Sequence, residues 1–366
     1  MREIIAVGIS GGVDSMVCAQ MLLDKGYKVI GVTMYLFDEE VDNRLQQPSF
    51  LKDAKTVCDT LSIAHHIIDL RDEFKTSVID PFIAAYLRGE TPNPCAMCNP
   101  TIKYGVFLEA VIGLGATHFA TGHYADIRYD ENLDKFRIFQ GKDPRKDQSF
   151  LLYSLNQWQL SKLMLPLSGI DKKSTVRALA HSIHEGIANK KDSTDICFIP
   201  KGKYHDFIKR HAVLPVEQGD FVTKEGYVLG RHNGIVNYTI GQRRGLLATL
   251  NKPMYVIEIR SNTNEVVLGE DKDTYSLGFI GDLFNFTIYE DIPLNRPLKV
   301  KICQWGYLLS CTIIKENGAY KIIFDKAERA VAIGQVAVFY EENEIIGGCT
   351  IYKNIKKSHK FQNSSC

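Results

Sequence analysis

Six residues, Ser10-Gly11-Gly12-Val13-Asp14-Ser15, bring together two glycines, two hydroxyls and a carboxylate. They follow the apolar run Ile4-Ile5-Ala6-Val7-Gly8-Ile9 and precede a helical pattern at Met16-Val17-Cys18-Ala19-Gln20-Met21-Leu22-Leu23. Glycines allow a backbone to approach an anion without Cβ clashes. Backbone N–H groups of the turn, the start of the helix and the two hydroxyls then donate to that anion. A carboxylate beside a phosphate calls for a bridging cation, which suggests a nucleotide with Mg²⁺. The stretch is neither Gly-x-x-x-x-Gly-Lys-Ser/Thr nor Gly-x-Gly-x-x-Gly, so the usual kinase, GTPase and dinucleotide readings lose weight. An ordinary strand-to-helix turn is the bland alternative.

Sulfur chemistry is the second candidate. In Thr91-Pro92-Asn93-Pro94-Cys95-Ala96-Met97-Cys98-Asn99, two prolines stiffen an extended loop. It presents Cys95 and Cys98 at a predicted helix start, where the thiol pKa should fall. In Lys190-Lys191-Asp192-Ser193-Thr194-Asp195-Ile196-Cys197-Phe198-Ile199, upstream lysines would also favour a thiolate at Cys197. A Cys-x-x-Cys pair by itself is equally compatible with redox chemistry, a metal site or coincidence. The other six of nine cysteines, Cys18 and Cys349 among them, lie in apolar or isolated contexts and are expected to be small core or surface residues.

Positioning these groups takes an alternation of short apolar strands and helices over the first ~200 residues, the mark of a parallel sheet with helices on both faces. Strands are expected at Lys28–Met34, Ala64–Asp69 and Thr117–His123. Helices are expected at Phe50–Leu61, Asp72–Leu87, with a kink or break at Pro81, and Ile102–Leu114. Ligands of such sheets bind beyond the carboxyl ends of the strands, where Ser10, Met34, Gly122 and His123 fall. After a short helix at Tyr204–Arg210 the pattern turns to β, with turns at Glu225-Gly226, Asn233-Gly234 and Asn317-Gly318. Period-2 alternation marks Tyr255–Ile259 and Tyr320–Phe324. The expected architecture is a doubly wound parallel α/β domain (1–200), a small β-rich domain (201–273) and a C-terminal antiparallel β-barrel (274–366). The segment from Lys356 to Cys366 is polar and expected to fray.

The chain has 366 residues, 45% hydrophobic and 24% charged, with formal net charge +1. A polyanionic partner must therefore be held by local patches. Basic clusters occur at Lys142, Arg145 and Lys146; Lys190 and Lys191; Lys201 and Lys203; Arg243 and Arg244; and Lys353 to Lys360. Each could equally be a solvated surface. No run has the length of a membrane span, and the N-terminus is too short for a signal peptide. The odd cysteine count in a signal-free chain argues against a disulfide framework, so a cytoplasmic protein is expected.

The loop at Ser10–Ser15 resembles the pyrophosphate loop of ATP pyrophosphatases. With further motifs, the chain resembles the bacterial tRNA 2-thiouridylases, the MnmA family, over nearly its whole length. The motifs are the loop itself, Thr91-Pro92-Asn93-Pro94 with Cys98-Asn99, Ala120-Thr121-Gly122-His123-Tyr124-Ala125 and Lys146–Tyr153. Lys191-Asp192-Ser193 with Ile196–Ile199, Tyr238–Leu246, and Gly334-Gln335 with Ala337–Tyr340 complete the set. The resemblance implies ATP-dependent 2-thiolation of the wobble uridine: adenylation of uracil O2, release of pyrophosphate, then attack by sulfur at C2. It implies ATP held by Gly8, Ile9, Ser10, Gly11, Gly12, Val13, Asp14, Ser15, Met34 and Gly122, with Mg²⁺. It implies a persulfide on Cys197 and a partner thiol at Cys98. Asn93, Pro94 and Cys95 match the loop that touches the target base, and His123, Lys146, Asp147, Gln148, Ser149 and Gln335 match tRNA-contacting positions. His123 could instead be a strand-end hydrogen-bonding residue, and Arg243 and Arg244 a solvated turn. The sulfur donor would be a cysteine desulfurase or a sulfur-relay protein, and no membrane is involved.

Two departures stand out. The family's basic tRNA-contacting stretch falls near Gln304-Trp305, where this chain has no arginine. Cys95 stands where much of the family has an aspartate. Cys95, Cys98 and Cys197 could therefore hold a [4Fe–4S] cluster with one open iron, or a Zn²⁺. Rival readings are a different pyrophosphatase-loop enzyme, such as a GMP synthetase-like ligase, or a non-catalytic nucleotide- or RNA-binding relative. The first leaves Cys98, Cys197 and the β-rich tail unexplained; the intact Ser10, Asp14, Cys98 and Cys197 argue against the second.

Overall fold

The computed structural model describes residues 3–41, 44–170, 173–190, 196–199, 204–213, 215–246 and 252–356. The expectations for Lys191-Asp192-Ser193, Lys201, Lys203 and the segment after Lys356 lie outside the described residues.

Ile4–Gly8 is the middle strand of a five-stranded parallel sheet. In order across the sheet the strands are Ala64–Asp69, Lys28–Tyr35, Ile4–Gly8, His118–Ala120 and Leu163–Met164. Alternation along the middle strand sends its side chains to opposite faces. Ile5 and Val7 pack with the helices Val13–Asp24, Ser49–Leu61 and Lys173–Ile183. Ala6 joins Val32 and Phe119 in the opposite core with the helices Asp80–Leu87 and Phe107–Gly113. Two covered faces make this the doubly wound sheet expected, and explain why the run Ile4–Ile9 is continuously apolar.

The break expected at Pro81 is a π-helical turn, Lys75–Ile79, just before it. Pro81 itself lies just after that turn, near the start of Asp80–Leu87. A second π-helical stretch, Asn99–Val106, precedes Phe107–Gly113 and contains Gly105 with non-helical dihedrals. The strand expected to reach His123 stops at Ala120. Thr121 to His123 are thus irregular backbone at the carboxyl edge.

Beyond the helix Tyr204–His211, strands Gly219–Val222, Val228–His232, Tyr255–Arg260 and Glu265–Gly269 form a four-stranded sheet. Six antiparallel strands follow, from Tyr275–Phe286 to Glu344–Ile355, and these two strands pair with each other to close a barrel. Asn317 and Gly318 both have positive φ at the hairpin they were expected to turn. One connection carries no local sequence signal. The hairpin Ala125–Asp130 and Lys135–Gln140 leaves the N-terminal half and adds to the barrel sheet, pairing Ile138 with Ile345. Arg137 fixes the junction by donating from Nε to Glu344 at 2.7 Å and from Nη1 to Asp130 at 2.7 Å.

Candidate active site

The glycine loop is tied to itself. Ser15 Oγ donates to the carbonyl of Gly12 at 3.0 Å and accepts from the Ser10 N–H at 3.3 Å. The two serine hydroxyls are 3.3 Å apart. Gly12 caps the helix Val13–Asp24 with no side-chain bond, so the first N–H groups remain open to an anion. Gly11 has φ +73°, and a Cβ there would lie 2.4 Å from the Cβ of Asp53. A Cβ on Gly122 would meet the Asp14 backbone at 2.8 Å. Both glycines are therefore required by space, and Gly122 lies against the loop. Asp14 Oδ1 accepts from the Tyr124 hydroxyl at 2.7 Å and pairs with Lys173. Met34 lies on the neighbouring strand, paired in register with Ile68. Its own neighbour, Thr33, donates to the carbonyl of Ile9 at 2.8 Å.

The cysteine loop is built by capping. Asn93 accepts from the N–H of Ala96 at 3.1 Å and starts the short helix Pro94–Cys98, with Pro94 in the first turn. Asn99, buried, donates to the carbonyl of Leu151 at 2.8 Å and anchors the other end. From the barrel, Ile333 accepts from Thr91 N–H at 2.8 Å and Gln335 Nε2 donates to Thr91 O at 2.9 Å. Gln335 therefore supports the cysteine loop directly.

Cys197 reaches the same place from the far side of the chain. Phe198 anchors it, with its ring 5.4, 5.6 and 5.3 Å from the rings of Phe74, Phe82 and Phe207. Cys95 and Cys197 are exposed and Cys98 is half-buried, so a substrate can reach the thiols. The thiols also sense one another. Desolvation, then charge on Cys95 and Cys98, push Cys197 up to about 12, with Lys103 opposing them. Desolvation pushes Cys98 up to about 11, opposed by Lys103. Cys95 is raised by the same cause. The sequence expectation was the reverse, thiols acidified by a helix start and by upstream lysines. Desolvation outweighs a helix start of five residues, and Lys190 is engaged by Asp53.

Lys103 stands among these groups. Desolvation works against its ammonium, yet Tyr104 and the thiols of Cys98, Cys95 and Cys197 hold its pKa above the usual lysine value. His123 completes the recess. Its Nδ1 lies 2.8 Å from Thr121 Oγ1 and 3.3 Å from the Tyr104 hydroxyl. Desolvation, then Lys103, push it down to about 3, so the imidazole is neutral.

Among the described residues, no group of three His, Cys, Asp or Glu side chains is placed to hold a metal ion. The three sulfurs share a neighbourhood but do not form a ligand set, so the arrangement does not fit the cluster or the zinc that the third cysteine suggested. Of the segment Lys146–Ser149, Asp147 and Ser149 are buried. Asp147 accepts from Gly141 N–H at 3.0 Å and Ser149 N–H at 3.1 Å, and Gln148 Oε1 accepts from Tyr124 N–H at 3.0 Å. Lys146 and Gln148 are only half-buried. Asn93, Pro94, Cys95, Cys98, Cys197 and His123 are brought to one region, and Ser10–Ser15 with Gly122 to its neighbour. Lys103, Tyr104, Tyr124, Lys173 and Asp53 escape a reading of the sequence. Tyr124 sits inside a matched motif, and Lys103 follows Cys98 by about one turn of helix, but nothing local marks either.

Three family models cover the chain: a tRNA methyl transferase HUP domain at residues 3–201, a tRNA methyl transferase PRC-barrel domain at 205–270 and an aminomethyltransferase β-barrel domain at 279–351. The chain is 39% identical over 362 residues to the tRNA-specific 2-thiouridylase MnmA of Carboxydothermus hydrogenoformans, covering 97% of this chain and 99% of that protein. It is 40% identical over 352 residues to the protein of the same name from Syntrophomonas wolfei, covering 95% and 99%. Among solved structures, the U34-tRNA thiolase NcsA from Methanococcus maripaludis with its [4Fe–4S] cluster matches with 19% identity and a TM-score of 0.34. That match covers 56% of this chain and 63% of NcsA, a likeness too distant to bear on function.

Proposed function

The chain belongs to the tRNA-specific 2-thiouridylase family, ATP-dependent sulfurtransferases that act on tRNA, and from that premise we propose how its residues divide the reaction. The substrate base is the wobble uridine of an anticodon, flipped out because chemistry at C2 requires an unstacked base. ATP lies on Gly8–Ser15, with Met34 beside the adenine and Gly122 against the loop. Uracil O2 attacks the α-phosphorus, the bond to the β-phosphate oxygen breaks, and pyrophosphate leaves with that electron pair. Backbone N–H groups and the hydroxyls of Ser10 and Ser15 hold the phosphates in place. The carboxylate oxygens of Asp14 suit Mg²⁺, which would neutralise phosphate charge when bound with ATP.

Sulfur then replaces the activated oxygen. A persulfide on Cys197 attacks C2 through its terminal sulfur, and AMP departs with the C2–O bond electrons. Cys98, as thiolate, attacks Sγ of Cys197. The S–S bond breaks towards the base, which becomes the 2-thiocarbonyl, and a Cys98–Cys197 disulfide forms. An external thiol reductant returns both cysteines to thiols, and a cysteine desulfurase or relay protein reloads Cys197. The observation that carries this division is that Cys197 and Cys98, far apart in sequence, lie near enough for charge on Cys98 to raise the pKa of Cys197. Neutral His123 donates from Nε2 to the base while Nδ1 accepts from the Thr121 hydroxyl. Asn93, Pro94 and Cys95 flank the base, and Cys95 takes the place of an aspartate as a local proton carrier. Lys146 and Gln148 face the tRNA, with Asp147 and Ser149 as internal support, and Gln335 acts at the base-site loop. The functional units are 1–200, 201–273 and 274–366, in the cytoplasm; among the described residues no helix is long and apolar enough to cross a membrane.

Nucleoside analysis of tRNA incubated with the protein, ATP, Mg²⁺ and a sulfur source tests the scheme. Cys197→Ser should yield no 2-thiouridine while still binding ATP, and iron should make no difference to the unmutated protein. Persistent 2-thiouridine in the variant, or a strict iron requirement, would overturn the assignment.

A further inference from the structure

A second lysine–aspartate pair lies beside the glycine loop. The position of a Cβ on Gly11 would be 2.4 Å from Asp53 Cβ and 3.0 Å from the backbone N of Ala54, so Asp53 lies directly over the loop. Asp53 Oδ2 is 2.5 Å from Lys190 Nζ. That ammonium nitrogen is closed off from solvent and makes no well-formed hydrogen bond. Its backbone is fixed, with the N–H donating to Ile187 O at 3.0 Å and the carbonyl accepting from Arg177 Nη1 at 3.0 Å. The Asp53 side chain is 40% exposed and that of Lys190 35%, so the pair lies at the surface with only the ammonium nitrogen covered. Lys173, by contrast, is committed to Asp14, which Tyr124 also holds.

We propose that Lys190 binds the β- and γ-phosphates of ATP and stabilises the departing pyrophosphate, resting on Asp53 until the nucleotide arrives. Lysine binds phosphate as a point charge with three donors, and an ammonium with unspent donors beside an anion loop is placed to use them. As the bond between the α-phosphorus and the bridging oxygen breaks, negative charge grows on the pyrophosphate. A fixed cation there acts on the transition state more than on the ground state. Exchange of Asp53 for phosphate leaves the ammonium paired throughout, so no uncompensated charge is buried. The proposal rests on ATP binding at Ser10–Ser15.

Calorimetry with three ligands, ATP, inorganic pyrophosphate and AMP, tests it. Lys190→Gln should weaken ATP and pyrophosphate by about 10- to 100-fold, the value of a charge-assisted phosphate contact. AMP binding should stay within about twofold, and Lys190→Arg should restore much of the loss. Equal weakening of AMP and ATP, or unchanged pyrophosphate binding, would overturn the assignment. Asp53→Asn decides on a second protein should Lys190→Gln not melt cooperatively. It frees the ammonium and should keep or tighten pyrophosphate binding, whereas a loss like that of Lys190→Gln would show the pair to be merely structural. An unmutated protein that bound no ATP would instead remove the ATP reading of the loop.

Discussion

The phosphate loop and the sulfur site lie side by side but are assembled in opposite ways. The loop is one contiguous strand–turn–helix unit whose hydrogen bonds run among Ser10, Gly12 and Ser15. The sulfur site draws Cys98 from a capped helix, Cys197 from a turn held by Phe198 and His123 from a sheet edge. In the loop, the backbone N–H groups at the helix start are left without a side-chain cap. In the sulfur site, the thiols are kept protonated by the protein around them, with Lys103 pulling the other way. This difference suits the chemistry, because a resting thiolate pair would be open to oxidation before tRNA docks.

The contrast is sharpest if each half is broken alone. Cys98→Ser removes the partner thiol and should lower 2-thiouridine formation by about 10³-fold or more in single-turnover assays. ATP affinity should be unchanged; a matching loss of ATP binding would show that the two halves are one unit. Gly11→Ala acts on the other half. Its φ of +73° and the 2.4 Å approach to Asp53 leave no room for a methyl group. ATP affinity should fall by about 10- to 100-fold through the strained turn, while alkylation rates of Cys98 should not move.

Acidity separates the halves next. With Cys98 near 11, the thiolate fraction rises about tenfold per pH unit between pH 7 and 9. Single-turnover sulfur transfer from preloaded protein should follow, and ATP binding should stay flat. Because Lys103 lowers the Cys98 pKa, Lys103→Gln should slow transfer about 3- to 10-fold at pH 8 and shift the profile upward. A profile identical to that of the parent would remove Lys103 from the thiol chemistry. The smallest effect is expected at Asn93, whose side chain caps Pro94–Cys98. Asn93→Ala should cost about 1 kcal/mol of stability in thermal melts, and Asn93→Asp should recover most of it.

How much of this was legible in the sequence follows the same division. Ser10–Ser15 is readable because the hydrogen bonds among Ser10, Gly12 and Ser15 span only six residues, and Gly11 and Gly12 declare a turn that needs no side chains. The parallel sheet is readable because a strand buried on both faces must be apolar throughout, as Ile4–Ile9 is. Thr121 to His123 reads as strand because its apolar neighbours continue the pattern, yet pairing ends at Ala120. The pKa directions of Cys98 and Cys197 were misjudged because local charge is visible in a sequence and desolvation is not.

The sequence by itself determined the local structure: a glycine turn between a buried strand and a helix, a short helix carrying two thiols, and the alternation that makes sheet and barrel. These follow from backbone conformation and side-chain type, which act over a few residues. Tertiary structure alone decided which distant groups meet: Cys197 with Cys98, Lys103 among the thiols, Lys190 on Asp53, Gln335 on Thr91, and the hairpin at 125–140 on the barrel. Those meetings depend on burial and through-space electrostatics, and neither is carried by any single stretch of chain.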